Sequence, residues 1–180
     1  MGVFGDIANS ETYESGGNYF IPGNYQVEVR ASYIEPSAKN KKVKHAKVKC
    51  KVIEYEAVGD GSKEGRYKPG AEVNFVVEVT KEMGASNAKA YAMAAGEQAL
   101  WQAGADAEAV REFLRDFKAS SAEPHPCEKH LEDIFGIKSS AIGVKIRVEA
   151  FNKNKTDGNP FTRLRWVVTD RPDDFDPKSV

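Results

Sequence analysis

Three lysines recur at every second position in one short stretch of the chain, a spacing suited to holding a row of negative charges. They are Lys47, Lys49 and Lys51, and the positions between and beside them are small or apolar. Successive side chains of a β-strand point to opposite faces, so these lysines would share one face. Ammonium groups arranged in this way neutralise the phosphates of a nucleic acid and release its counterions.

Further basic residues fall at predicted outward strand positions or in the neighbouring loops. The chain has a formal net charge of −1, yet basic residues outnumber acidic ones at the outward positions. The basic set is Arg30, Lys47, Lys49, Lys51, Lys145, Arg147, Arg163 and Arg165, and the acidic set is Glu28, Glu72, Glu78 and Glu149. The loops add Lys39, Lys41, Lys42 and Lys44 before the second strand, and Lys153 and Lys155 before the last. Solvated strand faces and protected sheet edges are also rich in lysine, so the charges alone leave both interpretations open.

Aromatic residues near these cations could provide faces on which nucleobases stack. Tyr55 has the outward parity of the lysine row, and Phe161 has that of the two arginines that follow it. Phe151 begins the last loop, whereas Tyr33 lies at a strand end, where twist leaves its facing open. Trp166 has inward parity and is predicted to be a core residue.

Other chemistry is less well supported by the residues. His125, Cys127 and His130 place three zinc-ligand types within six positions, but a structural zinc site needs four ligands and the remaining histidine, His45, is distant in the chain. No nucleophile motif is present, and no spacing brings two carboxylates together in an apolar pocket. The sequence therefore predicts no metal, no cofactor and no catalytic residues, and it leaves open a nuclease or other hydrolase whose site is assembled from distant residues.

Five alternating segments predict the strands that would position the basic residues. The inward positions are the odd-numbered ones over 25–33, the even-numbered ones over 46–52, and the odd-numbered ones over 73–79. Two later strands have inward residues at even positions over 142–148 and 164–168. Turn sequences separate the first three strands, which favours an antiparallel meander.

A helical insertion, about residues 86–136, is predicted between the third and fourth strands. Its first part is rich in alanine, which favours helix. Asp106 is a candidate N-cap for a second helix. An apolar stripe follows at i, i+3, i+4 and i+7, formed by Val110, Phe113, Leu114 and Phe117. A third short helix is predicted to end at Gly136.

These elements predict a mainly β domain in the order β-β-β-α-β-β, a five-stranded antiparallel OB-like barrel. Residues 1–19 are predicted to form a mobile N-terminal arm, residues 20–169 the domain, and residues 170–180 an acidic mobile tail. Two cysteines are too few for a disulfide framework, and no signal peptide or membrane span is evident, so a soluble cytoplasmic protein is expected.

The turn and strand pattern resembles that of bacteriophage-encoded single-stranded DNA-binding proteins with an OB-fold. The similarity lies in the run from Gly23 to Val29, the basic loop after it, Lys68-Pro-Gly70 before the third strand, and residues 156–162 before a last strand that contains tryptophan. The resemblance implies sequence-independent coating of single-stranded DNA during phage replication or recombination, in the host cytoplasm. The acidic tail would be a candidate surface for replication or recombination proteins, and self-association is left open.

On this hypothesis the nucleic-acid-binding residues are the loop and strand cations together with three aromatic residues: Lys41, Lys42, Lys44, Lys47, Lys49, Lys51, Tyr55, Arg147, Phe151, Lys153, Lys155, Phe161, Arg163 and Arg165. The main alternative is a virion structural or assembly protein, in which the basic face meets an acidic protein surface. A small-ligand barrel ranks third, because the inward residues are large enough to fill a small core.

Overall fold

The computed structural model describes residues 19–58, 67–119, 125–154 and 160–180. Five strands are present in this part of the chain: β1 (Gly23–Pro36), β2 (Lys44–Ala57), β3 (Glu72–Glu78), β4 (Lys145–Asn154) and β5 (Pro160–Val167). Three helices lie between β3 and β4: α1 (Glu82–Gln102), α2 (Ala107–Lys118) and α3 (Glu128–Phe135). A short 3-10 turn, Pro177–Ser179, follows β5.

The strands form one open antiparallel sheet in the order β3-β2-β1-β4-β5. Its inner face is apolar because alternate residues are large and aliphatic, as Val27, Val48 and Ile146 show by being fully buried. The predicted inward facing is confirmed for Val73 and Phe75 on β3. Ile142 was predicted to point inward, but it precedes β4 and is 52% exposed.

Two β-bulges change the facing that simple alternation predicts. Arg30 is an extra residue on β1, because Val29 pairs with Cys50 while Ala31 pairs with Lys49. Beyond this bulge the buried residue is Ser32, so the predicted inward facing of Ala31 is wrong, and Tyr33, whose facing was left open, lies on the outer face. A bulged residue shifts the two-residue period by one position, which exchanges the two faces.

The second bulge lies on β2 at Ile53, since Gln26 pairs with Glu54 while Val27 pairs with Val52. It places Tyr55 opposite the buried Tyr25 on the inner side of the sheet. The outward facing predicted for Tyr55 is therefore wrong.

The helices cover the inner face of the sheet, and their packing follows from their sequence. The alanine-rich prediction for α1 is confirmed, with small residues such as Ala92 and Ala95 fully buried. Asp106 caps α2 by accepting a hydrogen bond from the Ala109 amide at 2.9 Å. All four residues of the apolar stripe of α2 are buried, as predicted.

Residues 170–180 were predicted to be mobile, but the structure packs them against α1 and α2. Arg171 donates two hydrogen bonds to the carboxylate of Glu97, each at 2.8 Å. Phe175 is buried, and its ring packs edge-to-face on Trp101 with centroids 5.1 Å apart. Lys118 donates to the backbone oxygen of Pro177. One apolar anchor and one buried ion pair thus hold a segment whose composition is that of a terminus.

Closure of the sheet into a barrel stays a prediction. Among the described residues β3 and β5 are the two outer strands of the sheet, and the outer edge of β3 carries an isolated bridge between Asn74 and Tyr19. Side chains of β3 and β5 nevertheless meet, because the rings of Phe75 and Trp166 lie 5.6 Å apart. In the described part of the chain, no helix is both long enough and apolar enough to cross a lipid bilayer.

Candidate nucleic-acid interface

The basic residues of β2 and of the turn before it are here called the lysine stripe. Its members are Lys41, Lys42, Lys44, Lys47, Lys49 and Lys51. The residues between them, such as Val48 and Cys50, are fully buried, so Lys47, Lys49 and Lys51 project from the outer face of the sheet. Lys44 has the parity of the buried Ala46 and is exposed at the end of the strand. Within the described residues, no ion pair involves any member of the stripe except Lys47.

The turn that carries the first lysines is ordered by its own backbone. The Asn40 side chain accepts a hydrogen bond from the Lys42 amide at 3.1 Å, and the Val43 amide donates to the Asn40 carbonyl at 2.9 Å. Asparagine commonly closes turns in this way. The turn therefore presents Lys41 and Lys42 outward, where both are exposed.

The charge of the stripe is uneven along β2. Lys47 pairs with Glu35, and Lys51 lies between Glu28 of β1 and Glu72 of β3 in the strand register. Lys49 lies between Ala31 and Asn74, which carry no charge. Lys49 thus has no acidic register partner, whereas Lys51 has two but forms an ion pair with neither.

Histidine at the turn end of β2 adds little charge. His45 is paired in register with Glu35 and Glu78. Burial lowers the pKa of His45, with Glu78 opposing that shift. Because the ordinary histidine pKa is about 6.5, a lowered value leaves this ring neutral at neutral pH.

An aromatic ring accompanies the stripe at a position whose facing the sequence left open. The bulge at Arg30 places Tyr33 directly opposite Lys47 on the outer face. Val76 flanks Lys47 on the other side. A partly buried tyrosine beside an outward lysine places an aromatic ring and a cation side by side on the outer face, the combination used to hold a single strand in known complexes.

A second aromatic residue at this face was missed because it lies in the predicted N-terminal arm. Tyr19 forms a parallel bridge with Asn74 at the outer edge of β3, and its side chain is 44% exposed. Burial raises the pKa of Tyr19, and the charge of Lys47 opposes this shift. No sequence pattern connects Tyr19 with β3, because the pairing spans more than 50 positions of the chain.

Two of the predicted cations of β4 and β5, Arg147 and Arg165, share one carboxylate. Glu149 accepts a hydrogen bond from Arg165 Nε at 2.7 Å and lies 3.5 Å from Arg147. Phe151 is 44% exposed and lies opposite Arg163 across the β4–β5 pair. Phe151 and Arg163 thus form a second candidate group, separate from the lysine stripe. The group has one aromatic face and one cation that is not in an ion pair with any described residue.

Tyr55 does not join either group. Its ring lies 4.7 Å from that of Tyr25 and 5.5 Å from that of Tyr67, and its hydroxyl donates to the Pro22 carbonyl at 3.3 Å. These contacts close the end of the core near the start of β1. Tyr55 therefore has a structural role in this arrangement.

Three predicted residues have no described side chain. The backbones of Lys153 and Phe161 pair with each other in the β4–β5 hairpin. Lys155 lies outside the described residues. The binding roles of these three residues remain predictions.

The two basic loops lie at opposite ends of the sheet. The β1–β2 turn follows the last residue of β1, whereas β4 extends past Gly23, the first residue of β1, before its hairpin begins. A ligand that contacts both loops would therefore run across several strands of the sheet and not along a single strand.

The histidine-cysteine cluster uses its polar atoms within the protein. His130 Nε2 lies 2.7 Å from a carboxylate oxygen of Asp116, and His125 Nδ1 accepts a hydrogen bond from the Cys127 amide at 3.2 Å. Throughout the described ranges, no three His, Cys, Asp or Glu side chains are grouped closely enough to hold a metal ion.

Comparison with known proteins adds no assignment: no protein-family model matches the chain, and no curated protein matches its sequence significantly.

Proposed function

We propose that this protein binds single-stranded DNA without sequence preference and without catalysis. The observation that carries the proposal is the lysine stripe, in which five exposed lysines have no carboxylate within ion-pair distance among the described residues. Cations that are not already paired in the free protein are available to replace the counterions of a nucleic acid.

Aromatic faces beside the stripe favour a single strand over a duplex. Tyr33 lies next to Lys47, and Tyr19 lies across the edge of β3. Base stacking requires unpaired bases, and each stacked base contributes about 1–3 kcal/mol with little dependence on its identity. A duplex offers its phosphates to the stripe but keeps its bases stacked on one another.

The sheet order supports an OB-like arrangement. Closing the sheet would join β3 to β5, and the contact between the rings of Phe75 on β3 and Trp166 on β5, with centroids 5.6 Å apart, supports this arrangement. In an OB-fold, β2, β3 and the loops β1–β2 and β4–β5 make the binding surface. The resemblance to phage single-stranded DNA-binding proteins suggests a role in replication or recombination in the host cytoplasm.

A pair of tyrosine substitutions tests the proposed surface. Tyr33→Leu should weaken binding of oligo-dT about tenfold, the loss expected for one stacked base. Tyr55→Leu is the matched control, because it also replaces a tyrosine of the β1–β2 pair, but on the inner side of the sheet. It should lower the thermal stability and leave the affinity of the folded protein unchanged. Equal affinity losses in both variants would argue against a binding surface on the outer face.

A further inference from the structure

A groove separates the outer edges of β3 and β5, and it has a volume of about 750 Å³. Residues of β3 line one side, residues of β5 line the other, and the first turns of α1 close one end. Gly84 allows α1 to approach this closely, because a Cβ at that position would lie 1.9 Å from the Glu78 carbonyl oxygen. The groove is therefore a consequence of how α1 leaves the sheet.

The floor of the groove is aromatic. Phe20, Phe75 and Trp166 line it, and the indole of Trp166 packs edge-to-face against both phenyl rings, with centroids 6.0 and 5.6 Å away. Trp166 is only partly buried, so part of the indole borders the groove. Such a surface suits a planar, apolar-faced ligand group.

The rim of the groove is polar and carries more positive than negative charge. Arg163 and Lys81 line it together with one carboxylate, Glu78. Glu78 is already engaged by Lys81 at 2.7 Å and by the Thr80 hydroxyl at 2.8 Å. Arg163 is left as the cation available to an incoming anion.

The groove also connects the two groups of candidate residues. On the β3 side, Asn74 and Val76 line it, and these are the register partners of Lys49 and Lys47. On the β5 side, Arg163 lines it opposite Phe151.

A second groove, about 700 Å³, continues the path along β5. Ala90, Arg163 and Trp166 line both grooves, and Phe151 and Arg165 line the second. A chain of phosphates leaving the lysine stripe would thus pass one aromatic floor and reach the exposed Phe151.

We infer that a bound single strand leaves the lysine stripe over the edge of β3 and places at least one base in the groove against Trp166. This inference rests on the proposed function, and it adds the path of the strand and the residues that hold it. The chemistry recognised is a phosphate backbone with planar bases, with Arg163 and the stripe holding phosphates.

Tryptophan emission reports directly on the groove. The chain has two tryptophans, and Trp101 packs on Phe175 in the C-terminal segment. A Trp101→Phe variant therefore leaves Trp166 as the reporter. Titration with labelled oligo-dT should quench Trp166 emission with the same midpoint as the rise in oligonucleotide anisotropy.

A blocking substitution provides the second arm. Ala90 is exposed and lines both grooves, so Ala90→Tyr should fill the space without disturbing the core and weaken oligo-dT binding about tenfold. Ala109→Tyr, at an exposed position of α2, is the matched control and should bind like the parent protein.

The outcomes separate this inference from the proposed function. A rise in anisotropy with unchanged Trp166 emission and normal binding by Ala90→Tyr would overturn the groove path and leave DNA binding standing. Quenching by an extended apolar peptide but not by oligo-dT would also overturn it, because the groove would then be a site that binds a peptide in β-strand conformation. An absence of any anisotropy change would overturn both.

Discussion

Removing two lysines of the stripe should change the salt dependence of DNA binding by a calculable amount. The five lysines without ion pairs among the described residues, Lys41, Lys42, Lys44, Lys49 and Lys51, set the number of neutralised phosphates. For a single strand, the slope of log K against log salt concentration is about −0.7 per phosphate, so the parent protein should show about −3.5. Affinity should then fall about 100-fold between 50 and 200 mM salt.

The double variant Lys49→Gln/Lys51→Gln retains three of these cations. Its slope should be about −2.1, and its affinity should fall about 20-fold over the same salt range. Fluorescence anisotropy of a labelled oligo-dT, measured at four or more salt concentrations, gives both slopes. Occupation of the groove would add Arg163 and make the parent slope about −4.2, with the same difference between the proteins.

A charge-matched control separates the stripe from the net charge of the molecule. Lys129→Gln/Lys138→Gln removes two exposed lysines in and just after α3, and it changes the net charge by the same amount. Its slope should equal that of the parent protein. Equal slopes for the parent and the stripe variant, or an equal reduction in the control, would refute the assignment of phosphates to the stripe.

Three further predictions concern the fold. Glu97→Gln should lower the free energy of unfolding by about 2 kcal/mol, because it weakens the charge-assisted pair with Arg171. Chymotrypsin should then cut the variant after Phe175 faster than it cuts the parent protein. Unchanged cleavage would contradict the packing of the C-terminal segment against the helices. Stability to urea should fall between about pH 8 and pH 11, since burial raises the pKa of Tyr91 and the unfolded chain releases this proton near its ordinary pKa of about 10. Tyr91→Phe should reduce that loss, and an identical loss in the variant would count against the explanation. Burial also raises the pKa of the Cys50 thiol. In a Cys127→Ala variant, Cys50 should therefore react with a disulfide reagent only after the protein unfolds. Rapid reaction of the folded variant would contradict the burial of Cys50.

The sequence predicts most of the sheet and the helices, because their burial patterns are local. The alternation of β3 and the apolar stripe of α2 each arise because a single element packs one of its faces on the core, and both are confirmed. The two bulges are not local in this sense. Whether Arg30 or Ile53 is the extra residue depends on the partner strand, so the facing of Tyr33 and Tyr55 could not be read from either strand alone.

The misassigned C-terminus has the same physical origin. Its aspartates and prolines are typical of a mobile terminus, but Arg171 meets Glu97 and Phe175 meets Trp101, contacts that span more than 70 positions. The candidate interface contains one feature that a single strand determines and one that depends on how distant strands are arranged. The lysine stripe is visible in the sequence because it follows one strand, whereas the groove between β3 and β5 depends on the order of strands in the sheet.

Equilibrium binding to matched single-stranded and duplex oligonucleotides tests the central claim most directly. The parent protein should bind oligo-dT at low salt, bind a duplex of the same length more weakly, and lose affinity for both as salt rises. Equal affinity for the two would contradict the stacking component of the account. Failure to bind either at low salt would contradict DNA binding itself and favour an assembly protein whose basic face meets an acidic protein surface.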